Sequence, residues 1–135
     1  MAELDAAVTD THALVFHAAG SARLGARAKA VFQRAEERKA LIYVPGAVAW
    51  EVGLLVRSGR IDLRRPLRQF FDDLFSNPSY QPHPLDLRQV FEASDLTLLR
   101  DPFDALICAA ALDLGLPLLS RDQSIAATPR MKTIW

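Results

Sequence analysis

Cysteine is almost absent from this sequence: its 135 residues include one, Cys108. A single thiol excludes an intramolecular disulfide framework and a multi-cysteine zinc site. It lies in the apolar run Ala105-Leu106-Ile107-Cys108-Ala109-Ala110-Ala111 with no basic neighbour to activate a thiolate, so a small buried residue is expected. Long hydrophobic runs are also missing, and none approaches the roughly 20 residues that cross a bilayer. The N-terminus carries three acids and no basic segment ahead of an apolar stretch, unlike a secretory signal. A soluble, cytoplasmic protein without membrane contact is expected. Neither sign of charge is in excess, since 16 Lys plus Arg balance 16 Asp plus Glu. Any binding of a polyanion must therefore rest on local patches. Repeats, low-complexity tracts and Gly/Ser/Pro-rich linkers are lacking, and the length suits one core, so residues 1–135 are expected to form a single domain.

What is present is a hydrophobic half of the chain whose period keeps changing. Ala6-Ala7-Val8-Thr9 is short and β-type and runs directly into Asp10. A brief helix comes next, over residues 11–18, and stops near Gly20. Residues 22–39 carry Leu24, Ala28, Val31, Phe32 and Ala35 on one face, which predicts a second helix. Leu41-Ile42-Tyr43-Val44 reads as the next strand. Helices are predicted over 48–58, with Gly59 as its stop, and over 63–75. Tyr80-Gln81-Pro82 reads as a short edge-like segment. Further helices are expected over 85–93 and 102–114, the latter ended by Gly115, then a buried strand over 116–119 and a last short one over 133–135. Strands alternating with helices imply βαβ crossovers, and hence an α/β fold: a three-layer α/β/α domain around a parallel sheet.

In such a sheet functional groups gather beyond the carboxyl ends of the strands. Asp10 ends the first strand, and Asp122 follows Leu118-Leu119-Ser120-Arg121. Glu51 lies early in the helix after the second strand, and Asp101 and Asp104 open the helix before Leu118. Helix capping competes as an explanation. Asp10 and Asp122 can each cap a helix on their C-terminal side, and Asp101-Pro102-Phe103-Asp104 reads as N-cap, N1 proline and first-turn acid. Glu51 has no such account, because it interrupts the apolar stretch from Val48 to Leu55, where an acid needs a partner. Acids from four chain segments at one sheet edge repel one another unless a cation joins them. Their oxygens suit a hard divalent ion, Mg²⁺ or Mn²⁺, that orients a water and offsets charge on a phosphodiester.

These stretches resemble the PIN-domain ribonucleases, and among them toxins of the VapC type from toxin–antitoxin pairs. The resemblance rests on Val8-Thr9-Asp10-Thr11-His12-Ala13-Leu14, Ala49-Trp50-Glu51-Val52-Gly53-Leu54-Leu55, Arg100-Asp101-Pro102-Phe103-Asp104-Ala105-Leu106-Ile107 and Leu118-Leu119-Ser120-Arg121-Asp122, in the family's order. It implies a PIN-like fold in which Asp10, Glu51, Asp104 and Asp122 form the acidic pocket, with Asp10, Asp104 and Asp122 on the metal. It implies that Thr11 and Ser120 are supporting hydroxyls. It also implies metal-dependent cleavage of an RNA substrate, a cognate antitoxin as inhibitor and a homodimer. The chain departs from the family pattern at Pro45-Gly46-Ala47, where relatives often carry serines, and at Ala105, where a basic residue often follows the third acid. Arg100 and Arg121 are the nearby residues able to supply that positive charge.

Arg57, Arg60, Arg64, Arg65 and Arg68 form the densest basic cluster, which would suit a phosphate-binding rim, although a solvated helix face is the more usual reading of such a run. Trp50 and the Phe70-Phe71 pair fall at core spacing, so core or interface packing is expected of them rather than base stacking. His12 is expected to play a local polar role at the mouth of the site. A housekeeping PIN nuclease in RNA maturation is an alternative within the enzymes. From another class, a receiver-type signalling domain also places a Mg²⁺ pocket on a parallel sheet. That reading lacks its lysine, since none occurs between Lys39 and Lys132, and Asp122 stands where the lysine would be. A phosphatase with an Asp-x-Asp motif is disfavoured by His12, and a catalytically silent binding partner by the intact acid set.

Overall fold

The computed structural model describes residues 5–135; the first four, which belong to the N-terminus expected to be no secretory signal, lie outside the described residues. Five strands, β1 (Asp5–Thr9), β2 (Ala40–Pro45), β3 (Tyr80–His83), β4 (Leu118–Leu119) and β5 (Thr133–Ile134), form one sheet in the order β3-β2-β1-β4-β5. Every pairing is parallel, with Val8 opposite both Tyr43 and Leu118. Seven helices connect them: α1 (Thr11–Ala19), α2 (Ala26–Glu36), α3 (Gly46–Arg57), α4 (Leu67–Phe75), α5 (Leu87–Asp95), α6 (Pro102–Leu114) and α7 (Gln123–Ala126). The sheet is flanked by helices, the arrangement that parallel strands with two apolar faces require. Ala7, Val8, Ile42, Val44, Leu118 and Leu119 are accordingly buried.

The chain lays β2 and β3 to one side of β1, then returns across the sheet to lay β4 and β5 on the other. The strand order thus reverses between β1 and β4. Loops leaving two such strands diverge and open a crevice at their carboxyl ends. Asp10 comes directly after β1, and Ser120, Arg121 and Asp122 come directly after β4.

The elements depart from the expected bounds where local chemistry intervenes. The second helix begins at Ala26 rather than at residue 22, because Gly25 is its N-cap and the C-terminal Trp135 lies against it. A Cβ at residue 25 would stand 2.5 Å from the Trp135 backbone carbon, closer than atoms pack. That helix ends before Lys39 because Arg38 takes a left-handed backbone, φ 61°, while Lys39 N–H donates to the Arg34 carbonyl. The helix expected over 63–75 starts only at Leu67. Asp62 Oδ1 accepts the Arg64 N–H at 2.7 Å, Arg64 turns left-handed at φ 58°, and Pro66 is the N-cap of α4. The segment around Tyr80 is an edge strand, as its composition indicates. The strand expected over 116–119 is reduced to its last two residues, with Pro117 outside it. Cys108 is fully buried.

Candidate active site

Three of the five predicted acids are helix N-caps, and capping is what aims them. Asp10 caps α1, its Oδ1 accepting the Ala13 N–H at 2.8 Å. Asp101 caps α6 through Oδ1, which accepts from Phe103 at 2.8 Å and from Asp104 at 3.1 Å, with Pro102 in the first turn. Asp122 caps α7 by accepting the Ile125 N–H at 3.0 Å, and Ser120 Oγ accepts the Asp122 N–H at 3.1 Å. In each case the backbone holds Oδ1 and leaves Oδ2 uncapped, and at Asp10 the Ser120 hydroxyl also bonds the carboxylate. Capping and a functional role are therefore compatible at these residues, since a cap fixes the carboxylate that a site requires.

Glu51 and Asp104 arrive differently. Glu51, in the second turn of α3, is held by Thr11, whose buried hydroxyl donates to Oε1 at 2.5 Å. This is the partner that its apolar setting demands. Asp104 lies in the first turn of α6, where the helix dipole favours an anion.

The electrostatics show that these groups converge. Burial and the charges of Asp101, Asp122, Glu51 and Asp10, in that order, push the Asp104 carboxyl up to about 7. Asp10 is only 6% exposed, and burial raises it above the usual carboxylate range. The Ser120 hydroxyl, the Ala13 N–H and His12 act against that rise, and Asp122 adds to it. Burial, with the charges of Asp104, Asp122 and Asp10, pushes the Cys108 thiol up to about 12. Among the described residues, no three His, Cys, Asp or Glu side chains stand close enough to enclose an ion by themselves. The carboxylates form an open bowl.

Around that bowl the basic residues diverge. Arg121 is exposed and stacks over Phe16, its Cζ 5.0 Å from the ring centroid, beside His12. Arg100 is exposed next to Asp101 and makes no ion pair among the described residues. Trp50 corrects the core expectation, for it is 54% exposed, with Arg57 Cζ 5.4 Å from its ring centroid. Phe70 and Phe71 do lie in the core. The short α7, which Asp122 caps, has no predicted range of its own and is legible only as the helix that Asp122 can cap. At four residues it has no readable period, and the Asp122–Ile125 spacing is its only sequence signal.

A PIN domain family model matches residues 7–131. The chain belongs to the PIN domain family. PIN domains are nucleases and generally use divalent metal ions. Among solved structures the chain is similar in fold to VapBC2 from Rickettsia felis bound to a DNA fragment from their promoter, at TM-score 0.67 and 13% identity, covering 95% of this chain and 96% of that one. It is also similar to a toxin–antitoxin complex from Klebsiella pneumoniae, at TM-score 0.62 and 18% identity, covering 93% and 94%. PAE2754 from Pyrobaculum aerophilum is similar too, at TM-score 0.59 and 18% identity, covering 96% and 83%. No curated protein matches the chain. The receiver-type alternative falls with the family membership.

Proposed function

We propose that this PIN domain is an endoribonuclease dependent on Mg²⁺ or Mn²⁺, and the toxin of a toxin–antitoxin pair. The observation that carries the reading is Asp104, a carboxyl raised to about 7 by burial and by four neighbouring acids. Such a cluster opposes its own ionisation unless a cation joins it. Asp10, Asp104 and Asp122 are the residues we assign to the ion, Asp10 and Asp122 through the oxygens that capping leaves over. These are hard oxygen donors, and an open bowl of them fits an ion that keeps several of its waters. When bound, the ion supplies Lewis-acid stabilisation of the phosphodiester and a lowered pKa for the attacking water.

The remaining roles depend on what each side chain has free. Glu51, with Oε1 held by Thr11, offers Oε2 to the attacking water. Ser120 accepts from the Asp122 backbone and keeps its own O–H for the Asp10 carboxylate. Asp101 deepens the negative field at Asp104 while holding the start of α6. Arg121 and Arg100 are assigned to the substrate phosphate at the rim. The antitoxin partner is supported by two fold relatives described as VapBC2 and as a toxin–antitoxin complex. A single-domain chain that pairs as a homodimer completes the reading, on the family resemblance.

Freed of any antitoxin, the protein is expected to cut single-stranded RNA with Mg²⁺ or Mn²⁺ and to stop in EDTA. Cleavage that continues unchanged in EDTA would remove the metal mechanism. Cleavage retained by both Asp10→Asn and Asp104→Asn would remove the site assignment.

A further inference from the structure

We propose that Trp50 is a stacking platform for one unpaired base of the RNA strand, at the rim of the acidic bowl. The inference rests on the ribonuclease reading and adds a substrate contact to it.

Its starting point is an apolar ring in a place that burial does not explain. On α3, Val48 and Val52 face the core, while Trp50 is 54% exposed on the opposite side of the helix. The next residue is Glu51, which Thr11 holds in the bowl. At 3.6 residues per turn the two side chains leave the helix about 100° apart, so the indole borders the acids without joining them. Arg57, two turns on, lies over the ring and braces it. An indole held by a guanidinium loses little freedom when a base settles on it.

Charge identifies the occupant. Arg57, Arg60, Arg64 and Arg68 are all exposed, and among the described residues none has a carboxylate within ion-pair distance. Arg65 alone of the cluster is paired, with Asp73 at 3.5 Å. The unpaired arginines follow Trp50 in the chain at the end of α3, in the loop after it and in the first turn of α4, and a phosphate chain lying along them would neutralise them. Leu87 and Phe91 on α5, two of the four other exposed large apolar residues among the described ones, lack such a row: the arginines beside them, Arg88 and Arg130, are already paired with Asp113 and Glu92. The base must be unpaired, because an indole on a helix surface reaches the face of a splayed base and not one inside an A-form duplex.

The test is steady-state cleavage of a mixed-sequence single-stranded oligoribonucleotide at fixed Mg²⁺, with light scattering on each variant. Trp50→Ala is expected to raise KM roughly 5- to 100-fold, the worth of one stacked base, with kcat and melting temperature kept. Trp50→Tyr should return KM to within about twofold of wild type, because stacking needs a ring and not an indole N–H. An abasic site scanned along the strand should, at one position, impose the same loss on wild type and none on Trp50→Ala. Three outcomes would overturn the inference: an unchanged KM in Trp50→Ala, a Trp50→Tyr as weak as Trp50→Ala, or a raised KM that tracks a change of oligomeric state. The last would assign the ring to an interface between copies. A wild-type protein that cuts no RNA is a different failure, for it removes the ribonuclease reading and this contact with it.

Discussion

Asp104 is the residue on which the energetics of the site turn. Its carboxyl is raised from 3.8 to about 7, so between those values the folded protein retains a proton that the unfolded chain has released. Stability must then fall as pH rises through that window and level off above about 7. Asp10 is raised as well and acts with the same sign. Metal-free thermal melts from pH 4 to 8 should show the decline, and Asp104→Asn should flatten it. The same substitution should raise the metal-free melting temperature at pH 8, by on the order of 3–5 °C per kcal/mol of repulsion relieved, while abolishing cleavage. A variant that melts lower than wild type would contradict a carboxylate crowded by its neighbours. Capping and crowding separate at Asp122. Asn caps as well as Asp does and removes a charge that crowds Asp104 and Asp10, so Asp122→Asn should match or exceed wild-type stability without metal. Asp122→Ala, by contrast, loses the Ile125 contact and about 1 kcal/mol relative to Asp122→Asn in a chemical denaturation curve. Cys108, fully buried and raised to about 12, should ignore a thiol reagent until the protein unfolds.

At the scale of elements, the sequence is most legible where a period has room to repeat. The long helix from Pro102 and the β-type run over 41–44 are found where pattern puts them. Ends are legible only when marked by a residue with a plain backbone role, such as Gly115 at φ 66°. Contacts between distant residues leave no local mark. Nothing around Gly25 announces that Trp135 will lie on it, or that this approach delays α2 to Ala26. Gly25→Ala should therefore cost about 1–3 kcal/mol, the usual range for forcing atoms into a filled space, in a urea titration. At Gly20 nothing lies within 4 Å, so Gly20→Ala meets backbone strain alone and should cost less. The exposure of Trp50 is hidden for a related reason. Ala47, Val48, Ala49, Trp50, Val52, Leu54 and Leu55 are apolar nearly all round α3, and only the packing of that helix selects the face that is buried. The candidate site is more legible than either, because Asp10 and Asp122 each leave a strand and cap the helix that follows, so the position that makes them caps also puts them at the sheet edge.

Over the whole molecule, a net charge of zero conceals a division of labour. Carboxylates crowd the edge where the strand order reverses, while the arginines between residues 57 and 68 are gathered at the end of α3, in the loop after it and at the start of α4. A polyanion drawn by overall charge would find nothing here, but one drawn by the arginine patch would be delivered beside the acids. That patch also admits the plainer reading of a solvated face, and salt separates the two. Counterion release makes the logarithm of affinity for single-stranded RNA fall with the logarithm of salt at about 0.7 per phosphate neutralised. With Mg²⁺ held constant, Arg64→Ala combined with Arg68→Ala should lower that slope by about 1.4. Neither arginine has an ion-pair partner to lose among the described residues, so stability should hold. A slope equal to wild type in the double variant would mean that these arginines serve solvation alone, and that the strand reaches the acidic crevice by another route.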